Sequence, residues 1–100
     1  MTNRYILKDG IPVQEPDLMK WATWFENKTE ERIVKQDERG GVKVSTVFLG
    51  LDHSFGGTVP ILYETMVFGG KDDGEQERYA TKEEALKGHK RFCKAYLPTN

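Results

Sequence analysis

Cysteine is scarce in this sequence, long apolar runs are missing, and neither sign of charge dominates. Each shortage removes a class of protein. Cys93 is the single cysteine, so no internal disulfide framework can form, and the chain suits a reducing compartment. The longest apolar stretch falls far short of the roughly 20 residues needed to span a bilayer as a helix. No charged start followed by an apolar segment is present, so no secretory signal is expected. The Asn27-Lys28-Thr29 sequon is therefore read as coincidence. Lysine and arginine number 15 against 16 acidic residues, for a formal net charge of −1. No basic block stands out, which removes the electrostatic footprint of a general nucleic-acid binder. Nucleophile machinery is also wanting. Ser45 and Ser54 lack a surrounding motif, and Gly56-Gly57 is too short for a phosphate loop. Cys93 falls on a helix stripe, where a thiol is packed and inert.

What is present describes one domain, residues 1–100, of radius roughly 13 Å. Apolar residues make up 37% and charged residues 31%, a globular composition on the polar side. "RYILKDGIPV" predicts a hairpin turning at Asp9-Gly10, with Pro12 confining its second arm to an edge. "EPDLMKWATWFENK" predicts a helix with Leu18, Trp21, Ala22 and Phe25 on one stripe and Trp24 at its margin. "ERIVKQDERGGVKVSTVFLGL" predicts two strands around Gly40-Gly41, with Val42, Val44, Thr46 and Phe48 sharing a face. "ILYETMVFGG" and "EQERYA" predict two more strands. Thr81 and Glu84 form a capping box opening a last helix, on which Ala85, His89, Phe92 and Tyr96 share a stripe and which Pro98 ends. The expected fold is α+β in two layers, an antiparallel sheet of about four strands with two main helices on one face.

Within that frame, "STVFLGLDHSFGG" runs from a strand into a glycine-rich loop, with Asp52-His53 at the changeover. His53, beside Ser54, Gly56 and Gly57, is the first candidate for ligand binding, because such a loop lets a ligand approach the backbone. Asp52 either shares that role or caps the loop by accepting backbone N–H bonds. Glu64 lies among Leu62, Met66 and Phe68, where it serves a site or pairs with Arg32 or Arg78. His89 on its apolar stripe is a ligand-binding candidate or a hydrogen-bonded core residue. A metal assembled by Asp52, His53, Glu64 and His89 is the sharper alternative, though their spacing matches no local metal motif. Gly88 interrupts a helix at about 1 kcal/mol relative to alanine, which points to close packing on the sheet or space beside His89. An exposed tryptophan, with Trp24 as the candidate, would suit base stacking.

The phrases "KWATWFE", "STVFLGLDHSFGG", "PILYETMVFGG" and "YATKEEALKGH" together resemble a family of small uncharacterised proteins of tailed bacteriophages and prophages, from about Trp21 to His89. The resemblance leads one to expect a tryptophan near Lys82, which this chain lacks. It implies a phage accessory protein in the host bacterial cytoplasm and transfers no catalytic residue. The leading expectation is stoichiometric binding with no cofactor, by sequestering a nucleotide-derived immune signal or blocking a host defence protein. Self-association is expected to help build the pocket. The alternatives are a small metal-dependent phosphoester hydrolase and a structural or regulatory phage protein.

Overall fold

Asp9 and Gly10 both hold positive φ, 52° and 78°, the conformation that a two-residue hairpin turn requires. They join β1 (Tyr5–Lys8) to β2 (Ile11–Gln14), a two-stranded sheet in which Pro12 sits on the outer arm. The computed structural model describes residues 2–99. Asp17 then caps α1 (Leu18–Asn27), its carboxylate accepting from the amides of Met19 and Lys20 at 2.9 and 3.1 Å. A four-residue helix, α2 (Thr29–Arg32), takes in Glu31 and Arg32, the first two residues of the run that predicts a strand.

Four strands follow: β3 (Ile33–Arg39), β4 (Val42–Phe48), β5 (Tyr63–Phe68) and β6 (Gln76–Tyr79). They pair antiparallel in the order β3-β4-β5-β6. The fold is α+β, as the sequence predicts. Gly40-Gly41 makes the tight β3–β4 turn, placing Arg39 opposite Val42 and Asp37 opposite Val44. That register runs unbroken back to Lys35 opposite Thr46, and shifts only between Lys35 and Ile33, which lies opposite Val47. Lys35, Asp37 and Arg39 therefore line the face that carries Val44, Thr46 and Phe48.

That face is covered by α3 (Lys82–Tyr96), which lies across all four strands. Its start is the capping box: Thr81 Oγ1 accepts from the Glu84 amide and Glu84 Oε1 from the Thr81 amide, both at 3.1 Å. Val44, Val67, Phe92 and Leu97 form one core cluster, and Phe48, Leu62, Tyr63, Tyr79 and Ala85 form the other. Full burial of a side chain such as Phe48 contributes about 1.5–3 kcal/mol. Gly88 is the close-packing glycine, because a Cβ there would overlap the ring of Tyr79.

The first helix departs from expectation. No residue of α1 is fully buried, and Leu18 on its predicted apolar stripe is 55% exposed. The reason is where it rests. α1 packs chiefly on β1, and Trp21 Nε1 donates to the carbonyls of Tyr5 and Gly50 at 3.2 and 3.0 Å. Trp24 alone reaches the sheet core, meeting Phe48 edge-on at 5.9 Å between ring centres. The molecule measures 46 × 29 × 22 Å. No helix among the described residues is long and apolar enough to cross a membrane.

Candidate functional site

The Asp52-His53 segment is held between the residues that precede β1 and those that lead into β5. Leu51 bridges Arg4, the Asp52 amide donates to Asn3 O at 2.8 Å, and the His53 amide donates to Ile61 O at 3.0 Å. Asp52 Oδ1 accepts from the amides of Ser54 and Ile61 at 2.8 and 3.0 Å. Those bonds, led by that of Ile61, hold the Asp52 carboxyl below the usual carboxylate range against the opposing effect of burial. Asp52 is thus the loop cap that the sequence offered as one of its two readings. His53 Nδ1–H donates to Leu51 O at 2.9 Å, which leaves Nε2 as the ring's acceptor. Ser54 and Gly57 close the tip by a backbone bond of 3.3 Å, Gly56 turns with φ 91°, and Phe55 beside His53 is 88% exposed.

The other candidates lie elsewhere. Glu64 pairs with Arg78 at 2.9 Å, one of the two partners the sequence named. It is opposite Val47 in the β4–β5 ladder, on the sheet face away from Thr46 and Thr65. Trp24 borders a groove of about 400 Å³ lined by Met19, Lys20, Thr23, Asn27 and Lys28. All of these belong to one helix and its end, so the groove has a single wall.

His89 sits at the centre of a different constellation. It is 2% exposed. Its Nδ1 lies 2.7 Å from Thr46 Oγ1, which in turn lies 2.6 Å from Thr65 Oγ1 on the facing strand. Its Nε2 lies 2.7 Å from Asp37 Oδ2, and the Cys93 thiol donates to that same oxygen at 3.6 Å. The i, i+4 spacing of His89 and Cys93 puts both on one side of α3, facing β3. The hydrogen bond from His89, then its charge when protonated and the Cys93 thiol, favour ionised Asp37, whose pKa is lowered despite partial burial. Burial first, and then the Asp37 carboxylate, push the Cys93 thiol up.

Beside this cluster opens a cavity of about 370 Å³, lined by Lys35, Asp37, Arg39, Leu86, His89, Lys90, Cys93 and Leu97. Of the predicted site residues it contains His89 alone; Asp52, His53, Ser54, Gly56, Gly57, Glu64 and Trp24 are not in its lining. The proposed fourfold metal set is not assembled. Among the described residues the group with metal-binding reach is Asp37, His89 and Cys93. Sequence reasoning missed Asp37, Lys35, Arg39 and Lys90. The signal for the three on β3 was the two-residue Gly40-Gly41 turn, which sets their register against Val42, Val44 and Thr46.

No protein-family model, curated protein or solved structure matches this chain.

Proposed function

We propose that this protein is a stoichiometric binder of a small anionic ligand, held in the cavity between β3 and α3. One observation carries the reading: three basic side chains, Lys35, Arg39 and Lys90, line that cavity against the single carboxylate of Asp37, in a chain whose net charge is −1. Local positive charge on a slightly acidic protein attracts anions selectively. Leu86 and Leu97 supply an apolar wall, and the volume falls within the range of small-molecule sites. No aromatic side chain is in the lining, so recognition rests on phosphate or carboxylate groups rather than on base stacking.

The biological form of this proposal is sequestration of a phosphorylated, nucleotide-derived signal during phage infection of a bacterium. Its support is the resemblance of residues Trp21 to His89 to tailed-phage proteins. Self-association belongs to the same proposal, since a second copy would deepen a cavity that 100 residues keep shallow.

Calorimetric titration with inorganic phosphate and with adenosine 5′-monophosphate tests the reading. Saturable one-to-one binding is expected, weakened about tenfold in Lys90→Ala and in Arg39→Ala, the loss of one charge-assisted bond. Binding that both variants retain at full strength, or no saturable binding by wild type, overturns it.

A further inference from the structure

The same cavity wall carries a donor set that anion binding does not use. We propose that Asp37, His89 and Cys93 form a site for a divalent transition metal of the zinc class, with a fourth coordination position open to the cavity. This goes beyond the anionic-ligand reading and stands without it.

The donor chemistry comes first. One imidazole nitrogen, one thiol sulfur and one carboxylate oxygen all lie within 4.8 Å of one another. Nitrogen, sulfur and oxygen together suit zinc, which takes four ligands tetrahedrally. With ordinary zinc–ligand distances of about 2.0–2.3 Å, tetrahedral donors stand roughly 3.3–3.7 Å apart. Cys93 Sγ and Asp37 Oδ2 are already 3.6 Å apart. His89 Nε2 and Asp37 Oδ2, at 2.7 Å, must separate by about half an ångström to reach that spacing. Asp37 can supply the movement, because its side chain is 45% exposed and it lies on the edge strand β3. The two ligands on α3 come from adjacent turns, an i, i+4 pair whose donor atoms lie within 4.8 Å of each other.

The support behind His89 points the same way. A metal-bound histidine presents one nitrogen to the ion and donates its other N–H to a buried acceptor, which fixes the ring. His89 Nδ1 has such a neighbour in Thr46 Oγ1, backed by Thr65 Oγ1. Hydroxyls both donate and accept. With Nε2–H on Asp37, Thr46 donates to Nδ1; with Nε2 on a metal, Nδ1–H donates to Thr46 and Thr46 turns its hydroxyl to Thr65. The change of tautomer therefore needs only hydroxyl rotations, a tolerance that a carbonyl in place of Thr46 would lack.

The charges and protons balance as follows. Asp37 enters ionised. Cys93 gives up its thiol proton to the buffer as the sulfur–metal bond forms. The two anionic ligands offset the two charges of the ion, so Lys35, Arg39 and Lys90 do not face an uncompensated cation. Their charge instead favours an anion, or a hydroxide from bound water, at the fourth position.

Untagged protein titrated with Co2+ and then Zn2+, in buffer free of phosphate and other chelating anions, tests the proposal. Expected are one-to-one binding, a thiolate-to-cobalt charge-transfer band with the visible bands of tetrahedral Co2+, and loss of both as Zn2+ displaces cobalt. Cys93→Ala should abolish the charge-transfer band, and Asp37→Asn should weaken affinity at least about tenfold. Both sites are partly exposed, so these variants fold; circular dichroism checks it. His53→Ala should bind like wild type. No saturable binding, a tetrahedral spectrum without the thiolate band, binding undiminished in Cys93→Ala and Asp37→Asn, or binding lost only in His53→Ala would each overturn the proposal. Phosphate titration of metal-free protein in the presence of a chelator isolates the anion reading, so either can fail alone.

Discussion

Gly88→Ala is the sharpest probe of how α3 sits on the sheet. At an exposed helix position the change would stabilise the protein by about 1 kcal/mol, the helix-propensity difference. Here the new methyl would overlap Oη, Cζ and Cε1 of Tyr79. Tyr79 has little freedom to yield: it is 6% exposed and packed in the cluster with Phe48, Leu62, Tyr63 and Ala85. Three overlapping atoms in a closed cluster put the overpacking cost near the upper end of its usual range, about 3 kcal/mol. Subtracting the propensity gain leaves a net loss of about 2 kcal/mol. For a domain of this size that lowers Tm by roughly 10 °C. Urea unfolding followed by tryptophan fluorescence reads the free energy, and an unchanged m-value shows that the midpoint shift is a change in stability rather than in the surface exposed on unfolding. A Tyr79→Phe background sharpens the test. Tyr79 Oη is buried without a hydrogen bond, although Thr65 and Glu77 are near it. Its removal alone is therefore expected to change stability by less than about 1 kcal/mol. Because it takes away the nearest of the overlapping atoms, Gly88→Ala should cost measurably less in that background. A Gly88→Ala protein as stable as wild type, or more stable, refutes the packing derived for α3.

His89→Ala should cost about 2–4 kcal/mol, because it opens a cavity in the core and orphans Thr46 and Asp37, whereas His53→Ala should cost less than about 1 kcal/mol; equal denaturation midpoints would contradict the burial of His89. Asp52→Asn should expose the loop cap as a pH-dependent contribution. Its folded pKa is lowered, so the carboxylate's stabilisation is complete above the ordinary value of 3.8 and disappears as pH falls through the lower folded value. The stability gap between wild type and Asp52→Asn should hold constant from neutral pH to just above that ordinary value and close below it. A gap that grows on acidification would show that Asp52 is not held as the ion.

Local chemistry made much of the fold legible. Asp9-Gly10 and Gly40-Gly41 specify turns because their backbone angles are those that glycine and aspartate tolerate. Thr81 and Glu84 specify a helix start because their two side chains close on each other's amides. Alternation in Val42–Phe48 specified which side of β4 would be covered. What failed was inference from an apolar stripe to its partner. Leu18, Trp21, Ala22 and Phe25 have helical spacing, but spacing does not say whether a helix lies on a large sheet or on a small hairpin, and only the first buries a stripe fully. Glu31 and Arg32 belong to a helical turn rather than to the strand that their run predicts, because a single turn before a strand leaves no period to detect.

The candidate site divides along the same line. Asp52 and His53 drew attention as neighbours in sequence, and their side-chain bonds stay within the loop and its ends, to Leu51, Ser54 and the strand lead-in at Ile61. Asp37 and His89 are 52 positions apart, and only His89 stands out in the sequence. An aspartate in "KQDER" reads as one more charge on a solvated strand, and a histidine on a helix stripe reads as core. Their meeting follows only when two local facts are combined. The Gly40-Gly41 turn fixes Asp37 opposite Val44, so its carboxylate emerges on the covered face. The helix period then puts His89 and Cys93 toward that same edge. There the half-exposed Asp37 carboxylate comes within hydrogen-bond reach of the buried His89 ring, whose Nε2 would otherwise lack a partner. On α3 the groups that meet it are the imidazole and thiol of His89 and Cys93. Register at one turn and phase on one helix thus suffice to bring oxygen, nitrogen and sulfur together beside a cavity, with no motif in the sequence to announce it.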